Sequence, residues 1–186
     1  MKSAEATRER ILAAATKEFA TYGVAGARVD RIAKESASNK NLLYVYFGNK
    51  EQLFAAVLQQ HSRRIHEAVP FAADDLLGYA VRLFDFMMEN PDLMKLLAWY
   101  GLEQDRTEGR ERSPSFEAKV TSLAKAQRSG VMSKEFTPAF LLNLVMALAS
   151  VLTAVNPFSP LIDPGASKDL KAYRKAIAKT VERLCS

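Results

Sequence analysis

The spacing of hydrophobic residues is helical along almost the whole chain. In the first segment apolar and charged residues alternate with helical period, with Ile11, Ala15, Phe19 and Tyr22 on the inner face and Arg8, Arg10, Lys17 and Glu18 on the outer face. Gly23 ends this segment. Two short helices are then predicted within residues 29–47, separated by a turn-forming cluster at residues 36–39, and a long helix starts at Lys50.

The remaining two thirds of the chain continue the helical pattern. Residues 75–90 are apolar nearly all round, and further helices are predicted from Pro91, across 116–129 and from 168 to 184. Thr137 and Pro138 open an uncharged helix predicted to reach Val155, while the charged residues 103–115 predict a loop. The fold class is therefore all-α. We expect residues 1–48 to form a small N-terminal domain and residues 49–186 a larger helical one.

Positive charge is concentrated in the first third of the chain. Residues 1–66 contain eleven Lys or Arg and six Asp or Glu, whereas the rest contains fifteen of each. A basic domain on a neutral body favours a polyanionic partner for that domain, although a solvated charged surface is the alternative. The lone Cys185 excludes an internal disulfide framework and fits a reducing compartment. With a charged N-terminus that lacks a signal-peptide pattern, this predicts a cytoplasmic protein.

Residues 29–47 have the layout of a helix-turn-helix, in which a short second helix fits the DNA major groove. Asn39 is a candidate N-cap for that helix and is also a predicted DNA-binding residue. The three residues after it are placed to reach base edges: Lys40 to guanine, Asn41 to adenine and Leu42 to a thymine methyl. Phosphate contacts are predicted for Tyr44, Tyr46 and Lys50. The alternative is an ordinary helical hairpin with no DNA-binding role.

The run from Thr7 to Phe54 resembles the N-terminal DNA-binding domain of the tetracycline-repressor family. The matching pieces are Thr7-Arg8, Ile11-Leu12, Ala14-Ala15, Phe19-Ala20, Gly23, Ile32-Ala33, Leu43-Tyr44, Tyr46-Phe47, Asn49-Lys50-Glu51 and Leu53. Two departures stand out. Arg28 replaces the usual Thr or Ser that opens the second helix, which weakens the cap but offers a phosphate contact. Ala37-Ser38-Asn39 stands where the family usually has a Gly-Val-Ser turn, and the absence of the glycine predicts a more strained turn.

The uncharged segment 139–155 leaves three interpretations open: a membrane span, a buried core helix or a subunit interface. Small residues on this segment and on the last helix would let another helix approach closely, and two such helices from each of two chains would form a four-helix bundle. The resemblance implies a homodimer of this kind. The predicted interface residues are Ala147, Ser150, Ala154, Tyr173, Ala176, Ile177, Thr180, Val181 and Leu184.

The resemblance also implies a ligand cavity among the middle helices. Met and aromatic side chains suit an adaptable apolar pocket, although they equally suit an ordinary core. The candidate pocket residues are Phe84, Met87, Met88, Met94, Trp99, Tyr100, Phe116 and Met146. If the cavity exists, the ligand is expected to be mainly hydrophobic.

No pattern in the sequence predicts a catalytic residue, a cofactor or a metal site, because the two histidines do not share a helix face and no phosphate-binding glycine loop occurs. The helix-turn-helix layout and the basic first third predict a DNA-binding transcriptional regulator, and the family resemblance implies a repressor that a small molecule releases from its operator. Its predicted partners are double-stranded operator DNA, a small-molecule effector and a second copy of the chain, with no membrane. Two alternatives remain: a constitutive DNA-binding regulator without effector, and an all-α binding or enzymatic module whose N-terminal hairpin is structural.

Overall fold

The computed structural model describes residues 2–103 and 113–186, and every regular element in these ranges is helical. The all-α prediction is therefore confirmed. Most of the predicted loop 103–115 lies outside the described residues. The α-helices of the described ranges are α1 (Lys2–Gly26), α2 (Val29–Glu35), α3 (Lys40–Phe47), α4 (Lys50–Ala68), α5 (Leu76–Glu89), α6 (Pro91–Glu103), α7 (Pro114–Arg128), α8 (Pro138–Ala149), α9 (Ser159–Ile162) and α10 (Leu170–Cys185).

The chain divides into two compact units. The first comprises residues 1–64 and 91–104, and the second comprises residues 65–90 and 105–186. The first unit therefore contains α1, α2, α3, α6 and most of α4, whereas the second contains α5 and α7 to α10. Compactness alone does not test the functional division at residue 48, which stays a prediction.

The core of the first unit forms where α1 packs against α2, α3, α4 and α6. Phe19 of α1 lies edge-to-face on Phe54 of α4, with ring centroids 5.1 Å apart. Two positions of α1 differ from the sequence prediction: Glu18 is buried and Tyr22 is 48% exposed. The fully or nearly fully buried apolar side chains include Ile11, Leu12, Ala15, Phe19, Ile32, Leu43, Leu53, Val57 and Leu96.

Two glycines set the path of the chain in this unit. Gly23 interrupts the helical dihedrals of α1 with φ 68° and ψ −179°, so the regular helix ends there as the sequence predicts. Gly48 follows α3 with φ 78° and separates it from α4. An L-residue with a side chain is disfavoured at both dihedrals, which explains glycine at these two positions.

The core of the second unit is built by α5, α7, α8 and α10. Side-chain caps define two helix starts: the Thr137 hydroxyl accepts the backbone N–H of Phe140 at 3.3 Å, and the Asp169 carboxylate accepts that of Ala172 at 3.0 Å. Arg174 of α10 pairs with Asp85 of α5 at 3.1 Å. The buried side chains of this unit include Tyr79, Leu83, Phe84, Leu123, Leu141, Val145, Ile177 and Val181.

The uncharged helix is shorter than the sequence predicts. It ends at Ala149, and residues 150–155 form turns. Side chains compete with the helical backbone here, since the Thr153 hydroxyl donates to the carbonyl of Ser150 at 2.8 Å and the Asn156 amide donates to that of Val151 at 2.9 Å. Among the described residues, no helix has the length and apolar character needed to cross a membrane.

Candidate nucleic-acid interface

The second helix of the predicted motif, α3, starts at a side-chain cap. The Asn39 side-chain oxygen accepts the backbone N–H of Leu42 at 2.8 Å, as its position in the sequence predicts. Leu43 and Phe47 are buried and fix α3 against the core of the first unit. Because the buried face of α3 is fixed in this way, its remaining residues face outward in a constant orientation.

The outward face of α3 includes residues that the sequence predicts to contact DNA, together with Val45, which it does not. Lys40 and Asn41 are exposed in the first turn, Leu42 is half-buried, and Tyr44 is 43% exposed one turn later. The first turn of α3 therefore presents an ammonium group and an amide group to solvent. These are the donors and acceptors that read guanine and adenine edges in the major groove.

Lys40 has a partner that the sequence does not predict. Its ammonium nitrogen lies 3.1 Å from the Oδ1 atom of Asp30, which occupies the first turn of α2. This hydrogen bond raises the pKa of Lys40, with smaller contributions from the charges of Asp30 and Tyr44. Both side chains remain more than half exposed. The ion pair therefore joins the two helices at their solvent-facing side.

The turn between α2 and α3 has a strained residue where the family resemblance expects glycine. Ala37 has φ 48°, in the left-handed region. The N–H of Ala37 donates to the carbonyl of Lys34 at 3.2 Å, and the N–H of Ser38 donates to that of Ala33 at 2.9 Å. This pair of bonds is the Schellman motif, whose left-handed position usually holds glycine. The turn keeps its geometry despite the alanine, at a cost in strain.

A carboxylate from α1 holds the start of α2, where no side chain caps the helix. Arg28 has no side-chain cap bond at the start of α2, which agrees with the expected weakening. Instead, Glu18 accepts the backbone N–H of Arg28 at 2.8 Å and the Nε of Arg31 at 2.7 Å. The hydrogen bond that Arg31 donates to Glu18 raises the pKa of Arg31, whose guanidinium also lies 4.1 Å from the centre of the Tyr22 ring. These charge-assisted hydrogen bonds satisfy the buried carboxylate of Glu18 and hold the start of α2 in place.

Two of the predicted phosphate contacts have partners within the chain. The ammonium of Lys50 lies 3.4 Å from the carbonyl of Ala25, near the end of α1, and 3.5 Å from that of Ala27, in the connection between α1 and α2. The hydroxyl of Tyr46 donates to the carbonyl of Ala4 at 3.4 Å. Lys50 and Tyr46 therefore hold segments of the first unit together. The side chain of Arg28, in contrast, is exposed to solvent, where it can contact a phosphate.

A buried histidine joins α4 to α1. The Nε2 atom of His61 lies 3.3 Å from the hydroxyl of Thr16, while its Nδ1 atom has no hydrogen-bond partner in the described part of the chain. Burial lowers the pKa of His61, and the charge of Arg64 lowers it further. The histidine is therefore held in its neutral form inside the first unit.

The predicted dimer residues all lie in the second unit and differ in how exposed they are. Ala147 of α8 and Ala176 and Thr180 of α10 are exposed, whereas Ile177 and Val181 are buried within their own chain. The structure thus leaves a small-residue face of α10 open to solvent. Tyr173 and Leu184 of α10 are half-buried, as is Ser150 directly after α8. Ala154 is exposed beyond the end of α8.

The predicted pocket residues are divided between the two units. Met94, Trp99 and Tyr100 belong to the first unit, where Met94 is buried and the ring of Tyr100 lies 6.3 Å from that of Phe54. The remaining candidates belong to the second unit: Phe84 and Met87 are buried, Met88 and Met146 are half-buried, and Phe116 is 46% exposed.

No group of three or more potential metal-ligating side chains occurs among the described residues.

Sequence reasoning missed Asp30, Glu18 and Arg31. An available signal for Glu18 was its place directly before Phe19 at the apolar edge of α1, where a carboxylate needs a partner. The Asp30–Lys40 pair joins residues ten apart on different helices, so no helical spacing rule reveals it.

The chain matches two family models. Residues 11–57 match the family described as bacterial regulatory proteins of the tetR family. Residues 75–183 match the family described as the tetracyclin repressor-like C-terminal domain.

Individual proteins are similar over nearly the whole chain or over about half of it. The HTH-type transcriptional repressor SCO4008 of Streptomyces coelicolor is 37% identical over 183 residues, which cover 97% of this chain and 95% of the relative. The HTH-type transcriptional repressor NicS of Pseudomonas putida is 33% identical over 110 residues, covering 55% of this chain and 52% of the relative. The crystal structure of SCO4942 from Streptomyces coelicolor superposes with a TM-score of 0.84 at 34% identity, covering 96% of this chain and 98% of that one.

Proposed function

Because this chain belongs to the tetracycline-repressor family of DNA-binding transcriptional regulators, we propose that it is a repressor that binds operator DNA as a homodimer. The observation that carries the proposal is the first turn of α3, which is capped by Asn39 and presents Lys40 and Asn41 to solvent on a helix fixed by buried residues. A two-turn helix of this kind fits the major groove.

The predicted DNA-binding residues around α3 each have a proposed contact. Lys40 donates to guanine, Asn41 pairs with adenine, and Leu42 contacts a thymine methyl. Arg28, before α2, and the hydroxyl of Tyr44, on α3, contact phosphates, since both side chains are exposed. Asn39 is placed at the start of α3, where its amide nitrogen can add a phosphate contact.

We assign Tyr46 and Lys50 a mainly positioning role in DNA binding. Their polar groups already contact carbonyl oxygens of the chain, and these contacts fix the start of α1 and the connection from α1 to α2. Phosphate contacts by Lys50 remain compatible with this role, because its bonds to Ala25 and Ala27 are long and an ammonium has three donors.

The homodimer proposal rests on the family and on the open small-residue face of α10. Ala176 and Thr180 are exposed there, and Ala147 is exposed on α8. Small exposed residues allow close approach of a second pair of helices, as in a four-helix bundle. A two-fold dimer would place two α3 helices about one DNA turn apart, ~34–36 Å, on a palindromic operator.

The ligand response is proposed for the second unit. Phe84, Met87, Met88, Phe116 and Met146 supply apolar and adaptable side chains there, which suit a mainly hydrophobic effector. An effector that binds one dimer state more tightly shifts the dimer toward that state, and repression ends if that state binds the operator less tightly.

The proposal is tested by selecting duplexes from a random-sequence library with the purified chain and measuring their affinity at several salt concentrations. We expect a palindromic sequence, and binding that weakens steeply with salt because Lys and Arg release counterions from phosphates. Arg28→Ala should weaken every duplex alike and reduce the salt slope by about one, whereas Arg63→Ala, an exposed arginine of α4 in the same unit, should not. Failure to select any duplex would contradict the proposal.

A further inference from the structure

We propose that Asp30 limits the affinity of this chain for DNA by competing with the nucleic acid for the ammonium of Lys40. The inference rests on the proposed function, since it concerns the same surface of α3. Asp30 of α2 would lower the affinity for DNA, whereas the residues assigned above raise it.

The geometry makes the competition direct. The Lys40 nitrogen lies 3.1 Å from the Asp30 carboxylate, and both side chains are exposed, 51% and 62% respectively. Lys40 is the first residue of α3, the end of the helix that points its side chains at base edges. Any DNA acceptor that takes the Lys40 ammonium must displace this carboxylate or share the ammonium with it.

Electrostatics adds to the competition. An acceptor bound to Lys40 lies within a few ångströms of Asp30, so the carboxylate repels the DNA phosphates around that contact. Arg28 and Tyr44 are the other titratable groups that influence Lys40. Of the groups that influence Lys40, Asp30 is the carboxylate, and it therefore competes with DNA for the ammonium.

The strength of the pair suits adjustment of affinity. Exposed ion pairs contribute little, so DNA can displace Asp30 at modest cost. Arg31 provides the contrast, because its partner Glu18 is buried and also holds the backbone of Arg28. Of these two cations, Lys40 is the one whose partner DNA can replace without disturbing the start of α2.

The test uses Asp30→Asn in the full chain, with anisotropy titrations of a duplex selected by the wild-type chain and of a shuffled duplex. We expect Asp30→Asn to bind the selected duplex about two- to fivefold more tightly at low salt. The gain should shrink as salt rises, because screening weakens both the ion pair and the repulsion. Asp92→Asn is the matched control, since Asp92 also lies in the first turn of a helix of the first unit and pairs with a lysine, Lys95, at 3.4 Å.

A double-variant cycle separates competition for Lys40 from a general charge effect. Lys40→Met should weaken binding, and Asp30→Asn should add little in the Lys40→Met background. An equal gain in both backgrounds, or a gain no larger than that of Asp92→Asn, would overturn the inference while leaving the repressor proposal intact. A wild-type chain that selects no duplex would overturn both. Thermal unfolding of each variant checks that the first unit remains folded.

Discussion

Replacing Ala37 with glycine should stabilise the first unit. Ala37 occupies the left-handed position of the Schellman motif that ends α2, with φ 48°. Its side chain is exposed, so the substitution removes no buried contact. The effect is therefore a balance between relieved backbone strain in the folded chain and added freedom in the unfolded chain.

The two contributions can be given magnitudes. A left-handed conformation costs a residue with a Cβ atom about 1–2 kcal/mol, which glycine avoids. Glycine in turn increases the conformational entropy of the unfolded chain, which costs about 0.4–1 kcal/mol. The net expectation for Ala37→Gly is an increase of about 0.5–1 kcal/mol in the free energy of unfolding.

The assay is urea unfolding of the wild-type chain and two alanine-to-glycine variants, followed by far-UV circular dichroism. Ala13→Gly is the matched control, because Ala13 is exposed within the regular part of α1 and glycine there should destabilise by about 1 kcal/mol. The two variants should therefore shift the unfolding midpoint in opposite directions. A loss of stability in Ala37→Gly equal to that in Ala13→Gly would refute the assigned strain.

Three further predictions test other parts of the structure. His61 has a lowered pKa in the folded chain, so below its ordinary pKa of about 6.5 the unfolded chain binds a proton that the folded chain does not. The free energy of unfolding should therefore fall as the pH drops through about 6.5. In urea unfolding, His61→Leu should remove this part of the pH dependence, and His66→Leu should not. Glu18→Ala should destabilise the first unit by about 2 kcal/mol in the same assay, because the Arg28 N–H loses a charged acceptor, and an unchanged midpoint would contradict this role. Ala176→Arg should convert a dimer to monomers in sedimentation equilibrium, whereas Glu182→Arg, exposed on another face of α10, should not.

Local patterns predicted much of the fold and the recognition helix. Helical periodicity located α3 between Asn39 and Gly48, and both its cap and its buried residues Leu43 and Phe47 are confirmed. These features depend on residues within one turn of each other, which a sequence displays directly. The strain at Ala37 was also visible, since the resemblance expects glycine at that position.

The features that escaped prediction depend on contacts between helices. Periodicity placed Glu18 on the outer face, but its carboxylate is buried, where it accepts the backbone N–H of Arg28 before α2. Lys50 matched a phosphate-binding position, although its ammonium faces carbonyls more than twenty residues earlier. The premature end of α8 results from side chains that bond the local backbone at Ser150 and Val151, and hydropathy does not register these bonds.

The central claim, that the first turn of α3 reads base sequence, is tested most directly by the affinity ratio between a selected operator duplex and a shuffled duplex for Asn41→Ala. Asn41 is exposed in that turn and is assigned to adenine. We expect Asn41→Ala to lose about 1–3 kcal/mol of binding free energy on the operator, to change little on the shuffled duplex, and to relax the preference at one base pair of each half-site. An unchanged ratio, with the wild-type base preferences retained, would contradict the assignment of α3 as the reading helix.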